Sequence, residues 1–292
     1  MPSKIVAIDK LDWSEAPSNE AVQNGRAALE SGHVVFFPVL RFLVEPQEHA
    51  LFTPAILGTS KNASYDPATD RLGGTSATGV EAETLRALMR RFSDVSATFV
   101  DRILPDYRGQ VRRARASFRP AEIAGRATTW RKDDTRLHVD AFPATPSAGR
   151  RILRLFTNVN PEGRVRSWRI GDEFEAVASR FGARLRLPLP GAGHLLALFR
   201  VTKTPRSAYD ALMLQLHDRM KEDEIFQKES PQTAFDFPAG STWLAFTDQV
   251  SHAATKGQYQ LEQTFLLPVG AMKEPERSPL RVLERIKRRP LA

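Results

Sequence analysis

The sequence predicts an α+β fold, a double-stranded β-helix or jelly roll with an N-terminal α/β extension and helical insertions. Short apolar runs bounded by Pro and Gly recur in the second half of the chain, as in sandwiches and barrels. Segments with apolar residues at helical spacing precede and interrupt these runs. We place the extension at residues 1–109, the jelly-roll core at 110–270 and a basic tail at 271–292 of this 292-residue chain.

The extension is predicted to hold two helices and one strand. Residues 18–31 begin with a capping Ser and end before a Gly, which is typical of a helix. Residues 34–39 predict a strand with Pro near its end. Residues 45–79 are rich in Pro, Gly, Ser, Thr and Asn, so they predict a loop. Residues 80–104 carry apolar residues at helical spacing and predict a helix that packs against the sheet.

The core is predicted to be mainly strands. Two segments within it, 172–181 and 207–221, have helical patterns and are interpreted as insertions between strands. The predicted strands are a basic run at 112–119 and apolar runs at 137–142, 152–160, 241–246, from about 250, and 263–267.

One polar motif lies inside an apolar run, His138-Val139-Asp140. Residues i and i+2 of a strand point to the same face, so both side chains are expected to reach one ion. His252 lies at the start of a later predicted strand and adds a second imidazole. Two His and one carboxylate occupy one face of an octahedral Fe(II) and leave positions open, unlike a closed structural zinc site. We therefore assign His138, Asp140 and His252 as metal ligands and catalytic centre.

The other four histidines are interpreted as structural or surface residues. His33 and His49 are isolated, His217 lies in a helical pattern, and His194 lacks an acidic partner at metal spacing.

Three segments carry a family resemblance: residues 136–143, 151–161, and 251–253 with 261–265. They resemble the Kdo hydroxylases, which are Fe(II)- and 2-oxoglutarate-dependent dioxygenases that hydroxylate C3 of 3-deoxy-D-manno-oct-2-ulosonic acid (Kdo) in lipopolysaccharide. The likeness covers roughly residues 110–270. It implies Fe(II) at the three ligands, 2-oxoglutarate and O2 as co-substrates, succinate and CO2 as products, and a Kdo-containing lipid A precursor as acceptor.

The chain departs from related oxygenases at the expected 2-oxoglutarate clamp. Many relatives place an Arg or Lys ten to fifteen residues after the second His, because a dianion needs a charge-assisted partner. Residues 262–267 read Glu-Gln-Thr-Phe-Leu-Leu, without a cation. The clamp is therefore sought elsewhere. Arg154, opposite Asp140 in the predicted hairpin, is the first candidate, and Arg115, Arg119 and Lys256 are alternatives.

Composition bounds the partners. The net charge is +8 and the pI about 10.0, which favours anionic ligands such as phosphorylated lipid or acidic sugar. No signature of a nucleic-acid-binding module is present. The absence of Cys excludes disulfides and iron–sulfur clusters and fits a reducing cytosol. No segment resembles a signal peptide or a spanning helix, so the sequence predicts a cytoplasmic protein.

The tail offers a further prediction. Leu280, Leu283 and Ile286 lie along one helical side, surrounded by Arg281, Arg285, Lys287, Arg288 and Arg289. This pattern predicts peripheral docking on the anionic cytoplasmic face of the inner membrane. The alternative is that the tail packs on its own domain or on a partner subunit.

Three other functions stay open at this point. A 2-oxoglutarate oxygenase could act on a different small molecule. A cupin-like isomerase or non-redox metalloenzyme could use the same ligands without forming succinate. A non-catalytic jelly-roll module could bind acidic glycans, but it would have no need for the three metal ligands.

Overall fold

Two β-sheets form the centre of the computed structural model, which describes residues 4–9, 11–126 and 128–292. Within these residues the strands are, in chain order, β1 (Ile5–Ala7), β2 (Val34–Phe37), β3 (Ala63–Asp66), β4 (Arg71–Gly73), β5 (Arg112–Arg119), β6 (Arg151–Asn158), β7 (Arg166–Ile170), β8 (Thr233–Phe237), β9 (Thr242–Phe246), β10 (His252–Lys256) and β11 (Gln260–Leu267). The larger sheet has the order β1-β2-β9-β6-β11-β5-β3-β4, and the smaller has the order β10-β7-β8. Strands from the predicted extension thus join the larger sheet.

The two sheets face each other across an aromatic cluster. Phe156 and Trp243 of the larger sheet contact Trp168 and Phe237 of the smaller one, with ring centroids 5.0 Å apart for Phe156 and Trp168 and 4.0 Å apart for Trp243 and Phe237. All four side chains are buried. Burial of large aromatic surfaces provides much of the energy that holds two layers together. A second, larger core lies on the other face of the larger sheet, beneath the helices.

Seven helices are found among the described residues: α1 (Asn19–Glu30), α2 (Gly79–Ile103), α3 (Phe174–Gly182), α4 (Ala192–Leu198), α5 (Ala208–Glu222), α6 (Glu224–Glu229) and α7 (Pro279–Lys287). All four helices predicted above are present within about two residues of the expected bounds. The Ser18 hydroxyl accepts a hydrogen bond from the Ala21 amide, and Ser207 forms a capping box with Asp210. None of these helices is long and apolar enough to cross a membrane.

Two segments differ from the sequence expectation. Residues 45–79, predicted as loop, contain β3 and β4. β3 pairs with β5 through Ala63 with Phe118 and Tyr65 with Ala116, and β4 pairs with β3 at the edge of the sheet. Residues 137–142, predicted as a strand, make only a single antiparallel bridge, between His138 and His252. The apolar pattern there reflects burial of Leu137 and Val139 rather than a place in a sheet.

The C-terminal helix α7 packs on its own domain. Leu280 and Leu283 are buried, and Ile286 lies against Gly182, where an added Cβ would come 3.1 Å from the Ile286 side chain. Lys287 Nζ donates hydrogen bonds to the Gly182 and Leu185 carbonyls at 2.8 and 2.7 Å. The apolar side of the tail is therefore covered by protein and does not face lipid, whereas docking of the tail on a membrane through its basic residues stays a prediction.

Shortening Leu283 is expected to destabilise the protein without altering its site. Leu283 is fully buried, and removal of such a side chain costs about 2–5 kcal/mol of unfolding free energy, because a cavity is left behind. Urea unfolding of Leu283→Ala measures the loss. Arg289→Ala, at an exposed position of the same tail, is the control and should unfold like the unaltered protein. Equal stability of all three proteins would contradict the packing of α7.

Candidate metal centre and its cleft

Backbone hydrogen bonds bring the predicted ligands together. The His138 amide donates to the His252 carbonyl at 2.9 Å, and the His252 amide donates to the His138 carbonyl at 2.9 Å. Two residues on, the Asp140 amide donates to the Thr247 carbonyl at 2.8 Å. Residues 138 and 140 thus present their side chains in the same direction beside the first residue of β10. The ligand atoms of the three side chains lie within 4.8 Å of one another.

Hydrogen bonds from the Nδ1 atoms to backbone carbonyls orient both imidazoles. His138 Nδ1 lies 2.8 Å from the Arg136 carbonyl oxygen, and His252 Nδ1 lies 2.8 Å from the Val250 carbonyl oxygen. Because a carbonyl only accepts, each Nδ1 carries the proton and each Nε2 keeps its lone pair. The Trp168 ring also stacks on His252, with centroids 5.0 Å apart. Both Nε2 atoms are therefore oriented as candidate metal ligands.

Electrostatics favour the protonation states that a metal requires. Burial lowers the pKa of both His138 and His252, which keeps the rings neutral. Burial would raise the pKa of Asp140, but the Arg154 guanidinium outweighs burial and lowers that pKa to about 2. Asp140 Oδ2 is buried and accepts no hydrogen bond from the residues that the structure describes. Two neutral imidazoles and one under-coordinated carboxylate fit a divalent ion such as Fe(II).

Comparisons with known proteins place the chain in a family. The family described as 3-deoxy-D-manno-oct-2-ulosonic acid (Kdo) hydroxylase matches residues 12–290. The chain belongs to the Kdo hydroxylase family. The resemblance noted at residues 136–143 and around His252 is thus confirmed over nearly the whole chain. No curated protein sequence matched.

Solved structures agree. The Kdo hydroxylase KdoO, described as a non-heme Fe(II) alphaketoglutarate dependent dioxygenase, is 47% identical in its cobalt(II) complex, with a TM-score of 0.96 over 99% of this chain and 97% of that one. Its complexes with alphaketoglutarate and Fe(III), and with succinate and Fe(III), are each 47% identical with TM-scores of 0.95 over the same shares. The present chain, as a member of this family, is accordingly an Fe(II)/2-oxoglutarate-dependent dioxygenase, as the sequence predicted.

A cleft of about 360 Å³ opens beside the ligands. Two predicted clamp residues line it, and both already bind carboxylates. Arg154 lies between Asp140 and Glu262, with Nε 3.3 Å from Asp140 Oδ2 and Nη1 3.1 Å from Glu262 Oε1. Arg119 Nη2 donates to Glu262 Oε2 at 2.9 Å and lies near Asp134. Both arginines therefore have their charge balanced within the protein.

The other two predicted clamp residues lie away from the cleft. Arg115 is on β5 but points outward, with Nε 3.5 Å from Asp66 Oδ2. Lys256 is exposed at the end of β10. Neither is among the cleft-lining residues. An Arg or Lys on a strand is often ion-paired or solvated, and Arg115 and Lys256 follow that tendency.

The sequence reasoning missed Arg166 and Glu262. On β7, residues 166, 168 and 170 share the buried face, so Arg166 lies on the same side as Trp168, the ring that stacks on His252. This alternation is visible in the sequence and could have identified Arg166. Glu262 was noted only because residues 262–267 lack the cation expected to bind 2-oxoglutarate. In the structure it is buried between Arg154 and Arg119. Which strand lies opposite Glu262 cannot be read from local pattern.

Of the remaining histidines, only His217 lines the cleft. Its ring lies 5.4 Å from that of His138, and its Nδ1 is 2.9 Å from Asp218 Oδ1. The site is thus bordered by one imidazole beyond the three predicted ligands.

Proposed function

We propose that this protein hydroxylates C3 of Kdo in a Kdo-bearing lipid A precursor, with 2-oxoglutarate converted to succinate and CO2. The observation that carries the proposal is the convergence of His138, Asp140 and His252, each in its metal-binding protonation state, on one cleft. Family membership supports Kdo as the sugar. We interpret the two facing sheets as the two sides of a jelly roll, a fold in which ligands sit between the sheets.

The three ligands would hold Fe(II) through His138 Nε2, His252 Nε2 and an Asp140 carboxylate oxygen. When bound, Fe(II) with 2-oxoglutarate and O2 supplies the oxidising chemistry that replaces a C–H bond by C–OH. Arg154 is a positioning residue, because it lies against Asp140 and keeps that carboxylate ionised. Burial of Leu137 and Val139 beneath the ligand segment keeps the donors in register.

We propose Arg166 as the clamp for the distal carboxylate of 2-oxoglutarate. It is buried, and it is the one buried cation of the cleft that forms no ion pair among the described residues. Its Nη1 donates to the Gly257 carbonyl at 2.5 Å, whereas its Nε has no hydrogen-bond partner in the described part of the chain. Burial and the nearby Arg119 lower the pKa of Arg166 to about 9. A bound dianion would supply the missing counter-charge.

The glycine at 257 supports this assignment. Its φ is +108°, and a Cβ there would come 2.7 Å from the Val165 carbonyl oxygen and 3.0 Å from Arg166 Cδ. Only a residue without a side chain allows β7 and the turn after β10 to approach this closely. The approach holds the Arg166 guanidinium in the cleft.

The outer part of the cleft suits an acidic sugar. Lys61, Arg131 and Lys132 line it, and Lys132 forms no ion pair among the residues that the structure describes. Lys61 and Arg131 share their charge with Asp134 and Asp218. We infer that the Kdo carboxylate binds at this outer side, with C3 turned toward the three ligands.

Incubation of the full chain with Kdo-lipid A, Fe(II), 2-oxoglutarate and O2 tests the proposed function. We expect the glycolipid to gain the mass of one oxygen atom, with one succinate formed per hydroxyl and the new group at C3 by NMR. Omission of 2-oxoglutarate is the control. An unchanged glycolipid, together with efficient hydroxylation of an unrelated metabolite, would assign the enzyme a different acceptor. A lack of succinate with every acceptor would favour a non-redox function.

A further inference from the structure

A surface segment around α4 exposes an unusual amount of apolar side chain. We call residues 187–201 the apolar lobe. Leu189, Leu198 and Phe199 are 81%, 73% and 74% exposed, and Leu187, Leu195 and Val201 are exposed as well. No residue of α4 is buried. These six residues make up most of the large exposed apolar residues among those that the structure describes. Large apolar side chains exposed in this number within one short segment mark an interaction site more often than a solvated surface.

The pattern of α4 is inverted relative to a helix that packs on its own domain. Leu195, Leu198 and Phe199 occupy positions i, i+3 and i+4, so they share one side of the helix. In a soluble helix this side faces the core. Here it faces outward, while Gly193 provides the close contact to the protein. A Cβ at Gly193 would come 2.1 Å from the Arg206 carbonyl oxygen.

The segment that contains the apolar lobe carries charges of one sign only. Residues 182–207 contain no Asp or Glu. Among the described residues, Arg200, Lys203 and Arg206 form no ion pair, whereas Arg184 pairs with Asp223. The cations of this segment are Arg184, Arg186, Arg200, Lys203 and Arg206. Apolar side chains bordered by cations complement the surface of an anionic bilayer, where acyl chains lie beneath phosphate groups.

The segment that directly follows the apolar lobe is attached to the rim of the cleft. The Lys203 amide donates to the Ala144 carbonyl at 2.9 Å, and Arg206 Nη2 donates to the Pro143 carbonyl at 2.6 Å. Pro143 lines the cleft together with Ala141 and Phe142, which directly follow Asp140. A surface that holds the apolar lobe would therefore lie beside the opening of the cleft.

We propose that the apolar lobe inserts into the surface of a bilayer that contains anionic lipid and thereby presents the cleft to the headgroup of a membrane-embedded substrate. The inference rests on the proposed function in that the acceptor is a glycolipid. Self-association through the same surface is disfavoured, because two copies would bring Arg200, Lys203 and Arg206 against their counterparts. An anionic bilayer meets the same groups with opposite charge.

Vesicle cosedimentation tests the apolar lobe without iron or substrate. The full chain is mixed with vesicles of phosphatidylcholine and phosphatidylglycerol, and with vesicles of phosphatidylcholine alone. We expect binding to the anionic vesicles that weakens at high salt. The double variant Leu198→Glu with Phe199→Glu should bind roughly tenfold or more weakly, because two apolar side chains no longer enter lipid. Both positions are exposed, so the fold should be retained.

Two control variants separate this surface from others. Val80→Glu places one negative charge, against two in the lobe variant, at a position on α2 that is 84% exposed and remote in sequence, and it should bind like the unaltered protein. Arg288→Glu with Arg289→Glu reverses two exposed charges of the tail and should change binding less than the double variant of the apolar lobe does. Equal vesicle binding by the unaltered protein and the lobe variant would overturn the proposal. Loss of vesicle binding in the tail variant alone would also overturn it. A dimer of the unaltered protein that is absent in the lobe variant would overturn it as well.

Activity assays keep this inference distinct from the proposed function. With a water-soluble Kdo acceptor that lacks acyl chains, the lobe variant should turn over like the unaltered protein. With Kdo-lipid A in vesicles, it should lose activity in proportion to its vesicle binding. Equal loss on both acceptors would overturn membrane docking as the role of the apolar lobe. Failure of the unaltered protein on both acceptors, with vesicle binding intact, would contradict the proposed function alone.

Discussion

Replacement of Asp140 or His252 by Ala is expected to abolish hydroxylation, with a loss of roughly a thousandfold or more. The protein offers three ligand side chains at this point, and each variant leaves only two. Iron bound by two ligands should be lost on dialysis. Iron content by elemental analysis and succinate formation measure the two effects separately.

The fold should survive both substitutions, since the backbone bonds of this segment do not depend on the side chains. The His138 and His252 amides pair with each other's carbonyls, and Arg154 retains Glu262 as a partner when Asp140 is removed. Circular dichroism should therefore match the unaltered protein. His49→Ala, at an exposed histidine outside the cleft, is the control and should keep full iron content. Full turnover by the Asp140 and His252 variants would refute the metal centre.

Replacement of Arg166 by Leu is expected to raise the KM for 2-oxoglutarate roughly a hundredfold, because a buried carboxylate loses its charged partner. Iron content should be unchanged, since Arg166 is not a ligand. Arg166→Lys should recover part of the loss, because it restores the charge but not the planar donor pair. Steady-state kinetics with varied 2-oxoglutarate measure the effect.

Two further substitutions locate the clamp. Arg115→Gln removes an arginine that pairs with Asp66 outside the cleft and should leave the KM unchanged. Arg154→Gln removes the partner of Asp140 and should lower iron affinity first. An unchanged KM in the Arg166 variant, with a large increase in the Arg154 variant, would transfer the clamp to Arg154.

Much of the fold and of the candidate metal centre could be predicted from the sequence because the signals are local. The Ser18 and Ser207 side chains cap helices by accepting hydrogen bonds from backbone amides three residues on. The ends of α1 and α5 could therefore be predicted within a residue or two. The His138-Val139-Asp140 spacing fixes two ligands on one side of an extended segment whether or not that segment joins a sheet. Family resemblance then linked His252 to the same ion.

The rest depended on which distant segments meet. Glu262 neutralises Arg154 and Arg119 because β11 pairs with both β6 and β5, a register that no local pattern specifies. That pairing leaves Arg166 as the buried cation without an ion pair among the described residues.

Helices α7 and α4 show the same difference between what local sequence predicts and what tertiary contacts decide. Apolar residues at helical spacing occur both in α7 and in α4. The sequence predicted the amphipathic pattern of α7, since periodicity is a property of neighbouring residues, but it did not predict α4. Only the tertiary structure decided that Leu283 is buried against the domain and Leu198 faces outward. Burial depends on the surfaces that surround a helix, and those surfaces come from parts of the chain far away in sequence.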